Sequence, residues 1–354
     1  MYLIIAILIF SFLIFIHEFG HFITAKLFDV KVNEFAIFMG PRLLHWGKGE
    51  TEYSLRLFPI GGFCAMEGED GTSSDPRAFT SKAKWKRAII LAAGATMNFL
   101  AGLAILICIY STAGGFRTTE ITGFLDNCPL QSEDGLQVGD RITEINGANI
   151  YIFSDFQMLT ERAPSTVMDI TVERDGKKVV LHDIDMKKQI YETENGPQEL
   201  YGLTFGGVEE KNLWTVLKNS VTTSVDFGRM VLYGLMDLIS GAAGMEDMAG
   251  PVGIVDTIQE TGKNAQSTLD GVLNVLYFGA FIAINLSFMN MLPIPALDGG
   301  HIFFLVVTWI IESITKKKIN PKYEAYIHGA GLVLLMGLML FVTFNDIVRI
   351  FFGG

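Results

Sequence analysis

The sequence predicts an α-helical membrane protein: about four transmembrane helices, a β-hairpin-rich segment between the first two, and a small α+β domain inserted after the second. Three observations carry this. Of 354 residues, 50% are hydrophobic and only 18% are charged, against about 25% charged in a typical soluble domain. The mean hydropathy is +0.36 although the formal net charge is −11. The acid is segregated: residues 116–210 hold 18 acidic and 8 basic side chains, which leaves the rest of the chain nearly neutral. This distribution excludes a disordered chain and a basic nucleic-acid binder, so no nucleic-acid partner is expected. It fits a soluble insert between apolar flanks.

The elements follow in order. The first apolar run, Tyr2–Ile16, continues into HEFGHFITAKLF. It has no basic stretch before it and no small-residue cleavage site after it, so 1–28 reads as a retained helix rather than a signal peptide. Residues 29–87 contain alternating stretches, VNEFAIF and TEYSLRLF, that predict β-hairpins. The second span, 88–113, has no charged residue, and Gly94, Ala95 and Gly102 let a neighbouring helix approach closely. The acidic block, 116–210, reads as short strands around one helix. Asn146-Gly147 and Asp175-Gly176 are hairpin turns, Thr166–Glu173 and Lys178–Ile184 are strands, and Ser154 is placed to cap Asp155–Arg162.

Residues 211–271 read as amphipathic linker helices, because apolar spacing over Asn212–Ile239 is interrupted by Asp226, Arg229 and Asp237. The third region, 272–312, is broken by Pro293 and Pro295. Proline lacks a backbone donor, so a helix to about Asn290, an irregular stretch and a second helical piece are expected. The fourth span covers 325–350. Cys64, Cys108 and Cys128 form no disulfide framework and read as small buried hydrophobes.

Basic residues set the orientation. Lys26, Lys31, Lys82, Lys84, Lys86 and Arg87 follow the first span, and Lys316, Lys317, Lys318 and Lys322 precede the fourth. Both connections then face the cytoplasm, and the acidic domain and both termini lie outside.

Chemistry concentrates in two places. His17 and His21 in HEFGH stand four residues apart, on one helix face, where both imidazoles can bind one Zn²⁺ with Glu18 beside a water. Such side chains are costly in lipid unless paired or functional. Zinc needs a third ligand, and the intramembrane acid of the broken region is Asp298 in NMLPIPALDGG. Asp298 also suits an N-cap, and His301 is a weaker competitor for the metal.

With HEFGH in a first span and NMLPIPALDGG in a late one, the chain resembles the site-2 protease family of intramembrane zinc metalloproteases. FPIGGF (Phe58–Phe63) is similar to that family's membrane-associated loop, and GPVGI (Gly250–Ile254) to the segment before its third span. The resemblance implies Zn²⁺ as cofactor, with His17, His21 and Asp298 as its ligands and Glu18 as the catalytic acid/base. It also implies that Asn290, Pro293, Pro295, Gly61 and Gly62 contact an unwound substrate strand. GLQVGDRITEING closely resembles a PDZ domain, with Val138 in place of a common proline. The whole is similar to the regulator-of-sigma-E-protease group, in a form with one PDZ unit. The implied partners are single-pass membrane protein substrates (anti-sigma factors already cut outside, remnant signal peptides), the lipid bilayer, and a peptide ligand at the PDZ unit. The implied location is the bacterial inner membrane, with the active site towards the cytoplasm. The alternative weighed against this is a catalytically inactive PDZ membrane adaptor. A transporter would show an internal repeat, and none is visible.

Overall fold

The computed structural model describes residues 2–47, 49–69, 73–193, 196–242, 244, 250–263, 265, 267–317 and 321–352. Lys318, used above for orientation, lies outside them. The chain divides into two units: residues 1–106 together with 227–354, and residues 107–226.

In chain order, α1 (Tyr2–Leu27) is followed by β1 (Val32–Trp46), β2 (Glu52–Met66) and α2 (Lys84–Thr112). The expected hairpins are one folded ribbon. Phe35 stands opposite both Tyr53 and Cys64, so the first half of β1 lies between the two halves of β2. Arg42 and Trp46, in the second half of β1, pair with Arg56 and Tyr53 on the far side. Residues 62–66 are therefore left at an edge. Burial pushes the Glu34 carboxyl up, but the Ser54 hydroxyl and the Arg56 and Arg42 guanidiniums hold it below its ordinary value. This ionic cluster ties three of the four segments. Towards its tip the ribbon exposes Met39, Leu43, Leu44, Leu57 and Phe58, a surface suited to lipid rather than water.

The central unit contains β3 (Gly115–Arg117), β4 (Ile121–Phe124), β5 (Arg141–Ile145), β6 (Ala148–Asn149), α3 (Phe153–Arg162), β7 (Val167–Arg174) and β8 (Lys177–Asp185). β9 (Gln189–Thr193), β10 (Gly196–Leu200), β11 (Leu203–Phe205) and β12 (Val208–Glu210) complete it. The main sheet has the order β6-β5-β7-β8, while β11 pairs with β4 and β12 with β3. Asn146-Gly147 and Asp175-Gly176 all have positive φ, between 49° and 77°, as type I′ hairpin turns require. The capping expectation is corrected: α3 starts one residue before Ser154, and the buried Asp155 carboxylate accepts from the backbone N–H groups of Tyr151 and Ile152 at 2.6 and 3.1 Å. An aspartate in the first turn can satisfy donors that a serine inside the helix cannot reach.

α4 (Leu213–Ser240) leads back into the first unit, followed by α5 (Pro251–Lys263), α6 (Thr268–Asn290), α7 (Asp298–Thr315) and α8 (Pro321–Phe352). α4 exposes Leu213, Leu217, Val221 and Val225 along one face while Ser220, Thr223, Ser224 and Asp226 are buried. Among the described residues, five helices are long and apolar enough to cross a membrane: Ile4–Leu27, Lys84–Thr112, Thr268–Asn290, Asp298–Thr315 and Tyr323–Arg349. The region expected as one broken span is thus two helices, α6 and α7, because the proline-containing stretch 291–297 interrupts the hydrogen-bond ladder. Cys108 differs from expectation: it is exposed on α2, while Cys64 and Cys128 are buried, and all three are free thiols.

Among the described residues of the first unit, two apolar cores stand out. One joins α1, the ribbon and the start of α2 through Ala25, Val32, Phe35, Met66, Ile90 and Leu91. The other joins α1 to α5 and α6 through Ile9, Leu13, Ile258, Val275 and Ile282. Gly102 is a required close approach, since a Cβ there would stand 2.7 Å from the Ile284 side chain.

The central unit is locked by Asp140, which is fully buried. Its carboxylate takes a bidentate pair from Arg174 at 2.7 and 2.8 Å and a backbone bond from Gln137. Removing one partner of such a pair costs about 3 kcal/mol. Asp140→Ala in the full chain is therefore expected to raise native-state proteolysis within 107–226 on the order of 100-fold, read from cleavage rates under non-denaturing conditions; an unchanged rate contradicts this role.

Candidate metal centre

α1 places His17 and His21 one turn apart, with ring centroids 4.8 Å apart and planes at 83°. α7 begins at Asp298 and brings its carboxylate to the same point. Asp298 Oδ2 is 3.3 Å from His17 Nε2 and 3.5 Å from His21 Nε2, and the two Nε2 atoms are 3.2 Å apart. Ligands of a tetrahedral zinc ion at 2.0–2.1 Å stand about 3.3 Å from one another. The three donor atoms are already at that spacing. Among the described residues, Asp298 Oδ2 is buried without a hydrogen-bond partner, which fits an oxygen reserved for a cation.

The Asp298 position follows from local sequence. Leu297 is the N-cap residue of α7, with no side-chain cap bond, so the N-cap reading of Asp298 is corrected. Its carboxylate lies in the first turn, where the helix dipole favours an anion, and turns to the histidines. Gly299 and Gly300 make this possible: a Cβ on either would lie 2.2 or 2.1 Å from the carbonyl oxygens of Met291 and Ile294. The 291–297 stretch therefore folds directly over the first turn of α7. His301 is not brought to the centre; its ring stacks on His328 at 3.6 Å.

α2 supplies the wall. A Cβ on Gly94 would lie 2.4 Å from His21 Nε2 and 2.8 Å from His17 Nε2, so only glycine leaves the space in front of both nitrogens open. His21 Nδ1 donates to the Ile90 carbonyl at 2.8 Å, which frees Nε2 as a lone-pair donor. Beside His17 Nδ1 lie the amides of Asn98 and Asn290, at 3.4 and 3.5 Å. The atom nearest the ring is Nδ2 in each case; either amide, flipped to present Oδ1 instead, would accept the Nδ1 proton and leave Nε2 for a metal. Asn98 was missed by the motif reading. Its signal is its place in the uncharged span 88–113, one turn from Gly94 and on the same face.

A cavity of about 580 Å³ opens beside the three donors, lined by Glu18, residues 63–66 of β2, Leu91, Asn290 and 296–298. Asn290, the last residue of α6, is thus at the centre. Gly62 lies against the Glu18 methylene side, and Gly61 turns the chain beneath Met39 with φ 82°. Neither glycine lines the cavity, and neither do Pro293, which is exposed, or Pro295, which is half-buried. Cys64 lines it, but burial pushes its thiol up, which disfavours the thiolate a metal would need.

The chain matches peptidase family M50 over residues 5–338. It belongs to that family, the site-2 protease family. The M50 peptidase is 30% identical over 428 aligned positions to the regulator of sigma-W protease RasP of Bacillus subtilis, covering 98% of each chain. It is 31% identical to the zinc metalloprotease RasP of Bacillus licheniformis, again over 98% of each. A Clostridium perfringens relative that carries zinc metalloprotease in its name is 36% identical over 98% of this chain and 99% of its own. The M50 peptidase is thus a zinc metalloprotease carried by apolar, membrane-type helices.

Gly94→Ala is expected to leave the helices intact by circular dichroism but to lower zinc content by at least about tenfold, measured by metal analysis of the purified protein. Stoichiometric zinc in that variant contradicts the wall described for Gly94.

Proposed function

We propose that this M50 peptidase is an intramembrane endopeptidase in which His17, His21 and Asp298 hold the zinc and Glu18 moves the proton. The observation that supports it best is the convergence of two imidazole nitrogens and one carboxylate oxygen, all within 3.5 Å, on helices apolar enough to lie in a bilayer. When bound, zinc supplies a Lewis acid that lowers the pKa of water and polarises a peptide carbonyl. Glu18, one residue beyond His17 and in the same cavity, takes the proton of the attacking water and returns it to the leaving amine. The apolar helices around the centre restrict bulk water.

A helical substrate hides its carbonyls in internal bonds, so cleavage needs a locally extended segment. Among the described residues no strand pairs with the outer side of 62–66, and these residues line the cavity. An unwound substrate can add there as a further strand, with Gly61 and Gly62 keeping the start of the edge low and Asn290 bonding the strand's backbone. Pro293 and Pro295 shape the loop that carries Asp298. The substrate class is single-pass membrane proteins. The B. subtilis relative is named a regulator of a sigma factor, and anti-sigma factors cut outside, or remnant signal peptides, are the proposed substrates here. The acidic central unit is proposed as a PDZ domain that takes a peptide or screens bulky substrates.

The location proposed is the bacterial inner membrane, with the centre towards the cytoplasm and the central unit and termini outside. Four crossings suffice for five apolar helices. α7 starts beside Gly94 of α2 and ends where Glu312 meets Lys84 at 2.8 Å. In the proposed topology α6 and α7 count together as one broken span, with α7 as the piece that does not complete a crossing.

Glu18→Gln is expected to retain zinc and to lower turnover of a test transmembrane substrate by about 10²-fold or more, read by gel analysis in detergent or proteoliposomes. Undiminished turnover contradicts the proton-carrying role.

A further inference from the structure

α8 contributes nothing to the donor set, yet one turn of it touches the chain on both sides of Asp298. The Ala296 N–H donates to His328 Nδ1 at 2.9 Å. Ala296 itself has φ 75°, a conformation an alanine rarely adopts and needs an outside contact to keep. One residue before it, Pro295 lies against Gly331, where a Cβ would stand 2.5 Å from the proline Cβ. On the far side of Asp298, the His301 ring lies flat on the His328 ring, at 3.6 Å and 1°, and Phe304 meets the same imidazole edge-on at 5.2 Å. His328 is 8% exposed. Residues 295, 296, 301 and 304 are thus fixed to one helical turn, and Asp298 sits between them.

We propose that His328 is a positioning residue for the metal centre: by holding Ala296 and His301, α8 fixes the start of α7 so that the Asp298 carboxylate stands at ligand distance from His17 and His21. This rests on the reading of Asp298 as a zinc ligand. A carboxylate on the first residue of a helix moves with the cap before it. Releasing Ala296 frees Leu297, the N-cap residue, and with it the direction of the Asp298 side chain.

His328 also belongs to a His301–Glu324–His328 group whose donor atoms come within 4.8 Å. A second metal there is disfavoured by the same hydrogen bond. With Nδ1 accepting from Ala296, the neutral ring carries its proton on Nε2 and has no lone pair to give. Parallel stacked rings also direct their in-plane lone pairs past each other.

The test is zinc affinity of the full-length purified protein, by competition with a chelator, for wild type and for Asp298→Ala, His328→Ala, His328→Asn and Gly331→Ala. Wild type is expected to bind one zinc. His328→Ala and Gly331→Ala are expected to weaken zinc about 10–100-fold with unchanged helical circular dichroism. His328→Asn, whose side-chain oxygen can take the place of Nδ1, is expected to restore affinity to within about threefold, a small part of that 10–100-fold loss. Where His328→Ala does not stay folded, Gly331→Ala, which keeps the imidazole and displaces Pro295, decides. Wild-type affinity in both His328→Ala and Gly331→Ala, beside a loss in Asp298→Ala, overturns the positioning role. Retention of zinc by Asp298→Ala overturns the ligand reading instead, and with it this inference. A second zinc lost only in His328→Ala overturns it in favour of a metal site at the stacked histidines.

Discussion

The meeting of His17, His21 and Asp298 at 3.2–3.5 Å is the constraint on which the rest of the first unit depends. Two imidazoles and a carboxylate cannot be gathered in an apolar setting unless backbone comes unusually close. Each approach is made at a glycine. Gly20 lets α1 meet the Ala93 carbonyl of α2, Gly94 leaves the space before the imidazoles open, and Gly299 and Gly300 admit the folded-back 291–297 stretch. In water such a cluster could relax into solvent. Here the surroundings are Leu91, Ile90, Phe79 and their neighbours, and unpaired polar groups among them are costly. The Ile90 carbonyl on His21 and the Asn98 and Asn290 amides beside His17 answer that cost from helices that have few other polar groups to offer.

Much of this was legible in the sequence because the motifs depend on local rules. HEFGH puts two histidines on one face by helical periodicity alone. The prolines at 293 and 295 end α6 and leave an irregular stretch, as their missing donors demand. Asn-Gly and Asp-Gly made the two type I′ turns. What escaped depends on contacts distant in sequence. Alternation in 32–62 indicates strands but not that the halves of β2 flank β1, since pairing order is a tertiary property. Asp155 displaced Ser154 as the group that serves the start of α3 because the helix begins one residue earlier than the serine suggests. His328 has no periodic or motif signal, and its partner is the backbone of a loop 32 residues away. Gly94 was visible as a packing residue, but a missing side chain cannot announce what would have filled its place.

The charge distribution acquires a physical sense from the same division. The central unit has a sheet, reverse turns and a buried Asp140–Arg174 pair, and its surface bears most of the excess acid. The first unit is nearly neutral, and its ionic pairs gather at the ribbon and the ends of helices: Glu34 with Arg56 and Arg42, Lys26 with Glu50, Lys84 with Glu312. Between those ends most of the helix surface is apolar, and some of the buried polar groups have a clear task. Asp346, fully buried in α8, accepts from the Gly250 and Gly253 N–H groups at 3.2 and 2.8 Å and so serves the free donors at the start of α5.

The central claim is that one zinc is held by two imidazoles and the carboxylate of Asp298. Zinc-edge X-ray absorption of the purified wild-type protein tests it most directly. Nitrogen and oxygen scatterers at about 2.0–2.1 Å with the outer-shell pattern of two imidazoles are expected. A sulfur scatterer at about 2.3 Å, which among residues lining the cavity would implicate Cys64, or the pattern of three imidazoles, would contradict it.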